Sequence, residues 1–284
     1  IPVEVVIDDG RVIYSGADIS RGQQVWLAAG GQQLGSVWGH GGYVAPDWSA
    51  DWLHREALGL RAELAAQVFA TPYAELTFEQ RAGIDARASA EMRRNDYDAD
   101  SGTLHISSAR AAAISRVAAH YGELFGDGRA LDALREQYAM SADSVPAAAD
   151  RNALTAFFFW SSWAAATDRP GESGLSYTSN WPHEPLVDNR MTAGSAIWSI
   201  VSIVLLIAGI AGMLWYHGTQ HEPAPPVAPA RDPLLGARAT ASMLATRKYF
   251  FVVVGILLLQ VAMGVITAHY AVEGQTFFSL PLAE

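Results

Sequence analysis

The sequence predicts a mainly α-helical protein in which a domain outside the cytoplasm, residues 1–190, is followed by transmembrane helices. Three observations lead there. Residues 191–216 carry no formal charge over 26 positions and residues 249–268 none over 20, lengths that cross the ~30 Å hydrocarbon core of a bilayer. Apolar residues before them recur at helical spacing in segment after segment, each behind a capping residue. Charge then orients the chain: the connection over residues 217–248 has Arg231, Arg238, Arg247 and Lys248 against Glu222 and Asp232, so the positive-inside rule makes it a cytoplasmic linker. The large domain and the far end of the second span, 249–284, fall on the outer face.

The elements follow in order. Residues 1–16 alternate in part and turn at Asp9-Gly10, which predicts a short hairpin. Ser20 is placed to cap a helix through Val25 and Trp26 that stops at Gly30-Gly31. Five glycines in the twelve residues 31–42 would not survive in a helix, so a shaped loop opens there, with Trp38, Trp48 and Trp52 large enough to pack it. Residues 51–68 fit an amphipathic helix. Residues 77–93 fit another, opened by a Thr77 to Gln80 capping box. Residues 107–124 and 128–138 continue the series, and Asp150 is placed to cap an aromatic helix over 153–166. The FFFWSSWAAA run inside it, residues 157–166, is too short to cross a membrane and reads as the buried face of a helix. Pro182 and Pro185 make residues 173–190 an extended lead into the first span. The Pro-rich residues 221–233 read as an exposed linker.

Composition excludes several function classes. Residues 1–190 hold 15 Arg and no Lys against 25 acidic residues. That balance argues against a nucleic-acid partner, which needs a basic face. With no cysteine in the chain, disulfides, thiolate metal sites and thioether-linked haem are all excluded. No Gly-rich phosphate loop precedes a helix and no nucleophile elbow is present. His54, Glu56, His105 and His120 are scattered over presumed helix faces without metal-ligand spacing, and are expected in surface or capping roles. The chain opens at Ile1 with no basic leader, so the expectation is that a signal or membrane segment precedes it or that it is one piece of a longer polypeptide.

One face draws attention. His269, Glu273 and Phe277 stand four residues apart at the outer end of the second span and share a helix face if the helix continues. Two readings fit: an interfacial His and Glu that are simply solvated, or a site where a ring-shaped, proton-bearing ligand docks, with Phe277 as its apolar wall.

The strings GGQQLGSVWGHGGYVAPDWSADWLHREA, FFFWSSWAAATDRPG and SYTSNWPHEPL closely resemble the N-terminal region of quinol-dependent nitric oxide reductases, single-chain members of the haem-copper oxidase superfamily. The resemblance covers essentially the whole chain. It implies a cytochrome-c-like periplasmic fold fused to a helical catalytic core in the bacterial inner membrane. Setting residues 39–46 on the loop that follows the haem motif in the family's two-subunit relative puts that motif at residues 31–35, where both cysteines and the axial histidine are replaced. The fold is then kept without its haem, and Trp residues fill the pocket. The resemblance further implies that His269, Glu273 and Phe277 line the quinol site, and that Gly41 and Tyr43 lend backbone oxygens to a calcium ion, a hard cation suited to oxygen donors. The complete enzyme would hold two b-type haems, one non-haem iron and one calcium, with quinol as electron donor. The family's haem and iron ligands have no counterpart in these 284 residues, so catalytic core helices are expected from further polypeptide or a partner chain. A homodimer, a nitric oxide dismutase-like relative, and a non-catalytic haem-less module that stabilises a membrane core are the other expectations carried forward.

Overall fold

The computed structural model describes residues 1–31, 34–39, 45–219 and 240–267. These form two compact units, Ile1–Ser195 and Ala196–Glu284.

The first unit opens on the expected hairpin, β1 (Glu4–Ile7) and β2 (Val12–Ser15), turned at Gly10 with φ +84°, a conformation that glycine adopts freely. Val5 and Ile7 point inward and are buried while Glu4 and Val6 alternate outward, the period-2 pattern of a half-buried strand. The hairpin does not stand alone. β1 also pairs in parallel with β4 (Thr103–Ile106), and β4 pairs antiparallel with β3 (Tyr97–Asp98), giving the strand order β2-β1-β4-β3.

Helix α1 (Gly16–Ala28) begins earlier than expected. Its cap is Ser15, which forms a capping box with Asp18, whereas Ser20 sits inside the helix and its hydroxyl bonds back to the Gly16 carbonyl. Helix α2 (Trp48–Phe69) likewise starts one turn early, capped by Asp47. After a 3-10 turn (Tyr73–Glu75), α3 (Phe78–Arg93) carries the Thr77–Gln80 capping box as read. α4 (Ser108–Leu124) is capped by Ser107, and α5 (Asp132–Gln137) is shorter than expected. In α6 (Ala148–Ala166) the expected cap fails: Ala147 precedes the helix, and Asp150 lies in its first turn, where it pairs with Arg21 at 3.0 Å. Residues 173–190 are not an extended lead. They complete a hairpin, β5 (Asp168–Arg169) with β6 (Glu172–Ser176), then turn back on the domain and bury Asn180, Glu184 and Asn189.

Two apolar clusters hold this unit together. α2 serves both, because Trp48 and Trp52 enter one while Leu53, Ala57, Leu60 and Leu64 enter the other beside Ile84, Met92 and Ala113. α1 crosses α6 at close range: a Cβ built on Gly22 would lie 2.0 Å from the Ala153 carbonyl oxygen. Only a residue with no side chain fits there.

Two further helices follow, α7 (Ala193–Thr219), which begins at the end of the first unit and continues through the second, and α8 (Ala241–Thr267). Their windows Ala196–Thr219 and Ala241–Met263 are long and apolar enough to span a membrane and leave none of their length buried in protein. Trp198 lies near one end of α7, and Trp215 and Tyr216 near the other, all exposed, as in the aromatic belts of membrane helices. α8 begins eight residues ahead of Tyr249, so Arg247 and Lys248 are helical. The Pro-rich residues 221–233 lie outside the described residues.

Candidate functional site

The glycine-tryptophan loop leaves α1 and returns at α2, and its two stems are fastened by one side chain. Asp47 is nine-tenths buried. Its Oδ2 accepts from the Ser36 hydroxyl at 2.7 Å and from the Gly39 amide at 2.8 Å; its Oδ1 accepts from the Ala50 amide at 3.0 Å and from the Ser49 hydroxyl. The carboxylate thus caps α2 and holds the incoming stem at once. Trp38 adds a second tie, taking its amide to the Ser49 hydroxyl at 3.1 Å and its indole N–H to the Ser161 carbonyl at 2.7 Å. From the far side, the Trp181 indole donates to the Gly39 carbonyl at 3.2 Å. The WPHEP turn, with a cis Trp181-Pro182 bond, therefore braces the same loop base.

Behind this base the interior is aromatic. Trp48 is fully buried, with ring centroids 5.9 Å from Tyr121, 5.4 Å from Phe125, 6.0 Å from Tyr138 and 5.6 Å from Phe158. The Trp26 indole donates to the Gly35 carbonyl at 3.0 Å, and a Cβ on Gly35 would fall 2.4 Å from Trp48 Nε1. The loop backbone is pressed onto two indoles. Residues 31–35 offer neither thiol nor imidazole, so this site does not fit a thioether-linked haem.

Charged groups ring the aromatic interior. The Tyr121 hydroxyl donates to Asp51 at 2.6 Å, and Asp51 also pairs with Arg55 at 2.7 Å. Burial raises the Tyr121 phenol well above its ordinary value, and the neighbouring Asp51 charge adds to the rise. Deeper in, Glu56 accepts from the Trp52 indole at 2.8 Å and from Arg110 at 2.7 Å; both charged side chains are almost completely buried. Such a pair persists only because each charge answers the other. His54 meets Glu184 at 3.0 Å and fastens the WPHEP turn to α2. Burial, helped by the Arg55 charge, lowers the proton affinity of His120 on α4.

A family model, the NorB cytochrome c-like domain of nitric oxide reductase, matches residues 2–183. That is well over half of the chain. The chain belongs to this family. No curated protein matches it. The NorB domain is thus a cytochrome c-like fold here, followed by two helices of membrane-spanning length in a membrane protein of this family.

The residues singled out from sequence fare unequally within this nitric oxide reductase relative. His269, Glu273 and Phe277 lie outside the described residues, as do Gly41 and Tyr43. Glu56 has no surface or capping role, since it is buried in the ion pair with Arg110. His105 is exposed but sits on β4, not on a helix. Among the described residues no group of three or more His, Asp or Glu is placed to hold a metal ion. Sequence reasoning missed Asp47 and Asp51. The signal for Asp47 was available, an Asp immediately before an apolar helical pattern, whereas the Asp51–Tyr121 contact joins residues seventy positions apart.

Proposed function

We propose that this chain is the N-terminal part of a membrane quinol:nitric oxide oxidoreductase, contributing the quinol-binding face at the outer end of its second span. What supports the reading is the family match over residues 2–183, joined to two membrane-length helices in the same chain. The overall reaction balances as two NO, two electrons and two protons giving nitrous oxide and water. Two b-type haems and a non-haem iron, held by core helices outside these 284 residues, supply the electron path when bound.

In this reading a quinol releases two protons as it gives up two electrons. The Glu273 carboxylate takes one proton from a quinol hydroxyl, the His269 imidazole holds the other oxygen or passes its proton on, and Phe277 packs the ring. Main-chain oxygens of Gly41 and Tyr43 are the hard donors a calcium ion takes. The cytochrome c-like domain carries no haem in this reading. Its support is the replacement of all three haem-attaching residues and the indoles of Trp26 and Trp48 against Gly35. The domain stands on the periplasmic face of the inner membrane, the 217–248 connection is cytoplasmic, and the assembled enzyme is a homodimer. A second reading, a non-catalytic module that stabilises a membrane core, draws on the same self-filled aromatic interior.

The test uses the complete, haem-replete enzyme. Glu273→Ala and His269→Ala should each cut quinol-driven turnover by roughly 100-fold or more while turnover fed by an artificial donor that bypasses the site holds. Phe277→Ala should mainly raise the Michaelis constant for quinol. Normal quinol kinetics in both polar variants would place the quinol site elsewhere.

A further inference from the structure

The aromatic interior of the first unit contains a combination that packing alone does not require. Tyr121 is 1% exposed and stacks on Trp52 with centroids 5.3 Å apart and planes 13° apart. It also meets Trp48 in an edge-to-face arrangement at 5.9 Å, and Trp48 in turn reaches the partly exposed Tyr138 at 6.0 Å. Four oxidisable rings are thus in series from surface to core. At the third ring of the series the Tyr121 hydroxyl bonds directly to a carboxylate, Asp51, whose side chain keeps 18% of its surface exposed.

We propose that Tyr138, Trp48 and Tyr121, with Trp52 stacked on the last phenol and Asp51 as proton acceptor, form a proton-coupled one-electron donor that quenches small radical oxidants reaching this domain. An oxidant such as nitrogen dioxide takes one electron at Tyr138, and the vacancy moves inward through Trp48 to Tyr121. There the O–H bond breaks: the electron fills the vacancy, the proton passes to Asp51, and the products are nitrite, a neutral tyrosyl radical and an Asp51 carboxylic acid. Asp51 releases the proton to solvent through its exposed edge. An external thiol or ascorbate then supplies one electron and one proton and restores the phenol. Atoms and charges balance at each stage.

Each neighbour narrows the outcome to Tyr121. The Tyr138 phenol lies beside the Arg55 guanidinium, a cation that takes no proton. Trp48 Nε1 has no hydrogen-bond partner among the described residues, so an oxidised Trp48 finds no base among them and passes the vacancy on. Trp52 does donate to a carboxylate, Glu56, but that group is 0% exposed and committed to Arg110, which leaves its proton no way out. The charged and titratable groups around Tyr121 are Asp51, Arg55, Tyr138 and the adjacent His120. Among the described residues only Asp51 is a base bonded to the phenol.

The experiment uses the full chain in detergent, a ruthenium polypyridyl photosensitiser and persulfate, with the tyrosyl radical followed by transient absorption and electron paramagnetic resonance. Tyr121→Phe, which keeps the ring and removes the hydroxyl, should abolish most of the tyrosyl signal, while Tyr97→Phe, on the sheet, should leave it intact. Asp51→Asn should slow radical formation by roughly 10- to 100-fold. Because that variant also releases Arg55, the unaltered chain provides an independent reading: radical formation should slow in deuterium oxide. A full tyrosyl signal in folded Tyr121→Phe, or the absence of a solvent isotope effect in the unaltered chain, overturns the proposal.

Discussion

Replacing Gly22 by alanine sets two effects of one methyl group against each other, and the structure decides which wins. In a helix interior the change is favourable by about 1 kcal/mol, because alanine restricts the unfolded chain. At this crossing, however, the new Cβ would lie 2.0 Å from the Ala153 carbonyl oxygen and 2.7 Å from Phe157 Cβ. The first distance is about 1.4 Å short of ordinary contact, and the obstacle is backbone, which cannot rotate away. α1 must therefore recede from α6 and loosen the Trp26–Phe157 ring contact at 5.8 Å. Forced overpacking of this kind costs typically 1–3 kcal/mol, occasionally more, and with backbone as the obstacle and a ring contact loosened the upper end applies. The net is then a loss of about 2 kcal/mol. For a domain of this size that lowers the melting temperature by roughly 4–8 °C. Near-ultraviolet circular dichroism of the full chain in detergent reports it through the packed tryptophans. Gly83→Ala is the control, since an exposed helical glycine with nothing within 4 Å should gain stability from the same substitution. A Gly22→Ala variant as stable as the parent would refute the close crossing.

Two further outcomes follow from the buried groups. Glu56→Gln leaves the Arg110 guanidinium uncompensated and should cost about 3–5 kcal/mol, whereas the double change Glu56→Leu with Arg110→Met should recover most of it; equal instability of single and double variants in urea titration would argue against the pair. Burial pushes the Tyr14 phenol up to about 12 and raises Tyr121 as well. The unfolded chain thus gives up these protons first, so the contribution is intact below about pH 10 and is lost as pH climbs from there towards 12. Phenolate absorbance from both residues should appear only together with loss of the near-ultraviolet signal, and reversible ionisation in folded protein would contradict the burial.

What could be read from the sequence divides along the range of the forces involved. The hairpin at Gly10, the Thr77–Gln80 capping box and the two long apolar helices depend on neighbours within a few residues, and the structure has all of them. Caps went astray where two candidates competed: Ser20 has the right side chain, but Ser15 has Asp18 three residues on to complete the box. The parallel pairing of β1 with β4 and the return of residues 173–190 onto the domain depend on partners far along the chain, to which local pattern is blind. Glu56 shows the same limit. Its helical spacing is compatible with a solvated face, and only the arrival of Arg110 from α4 makes its burial tolerable.

The Asp47 clasp has a consequence for how this chain tolerates change. One carboxylate gathers Ser36, Gly39, Ser49 and Ala50, so a single residue holds the two stems against each other. A single change at Asp47 should therefore withdraw the cap of α2 and unfasten the incoming stem together.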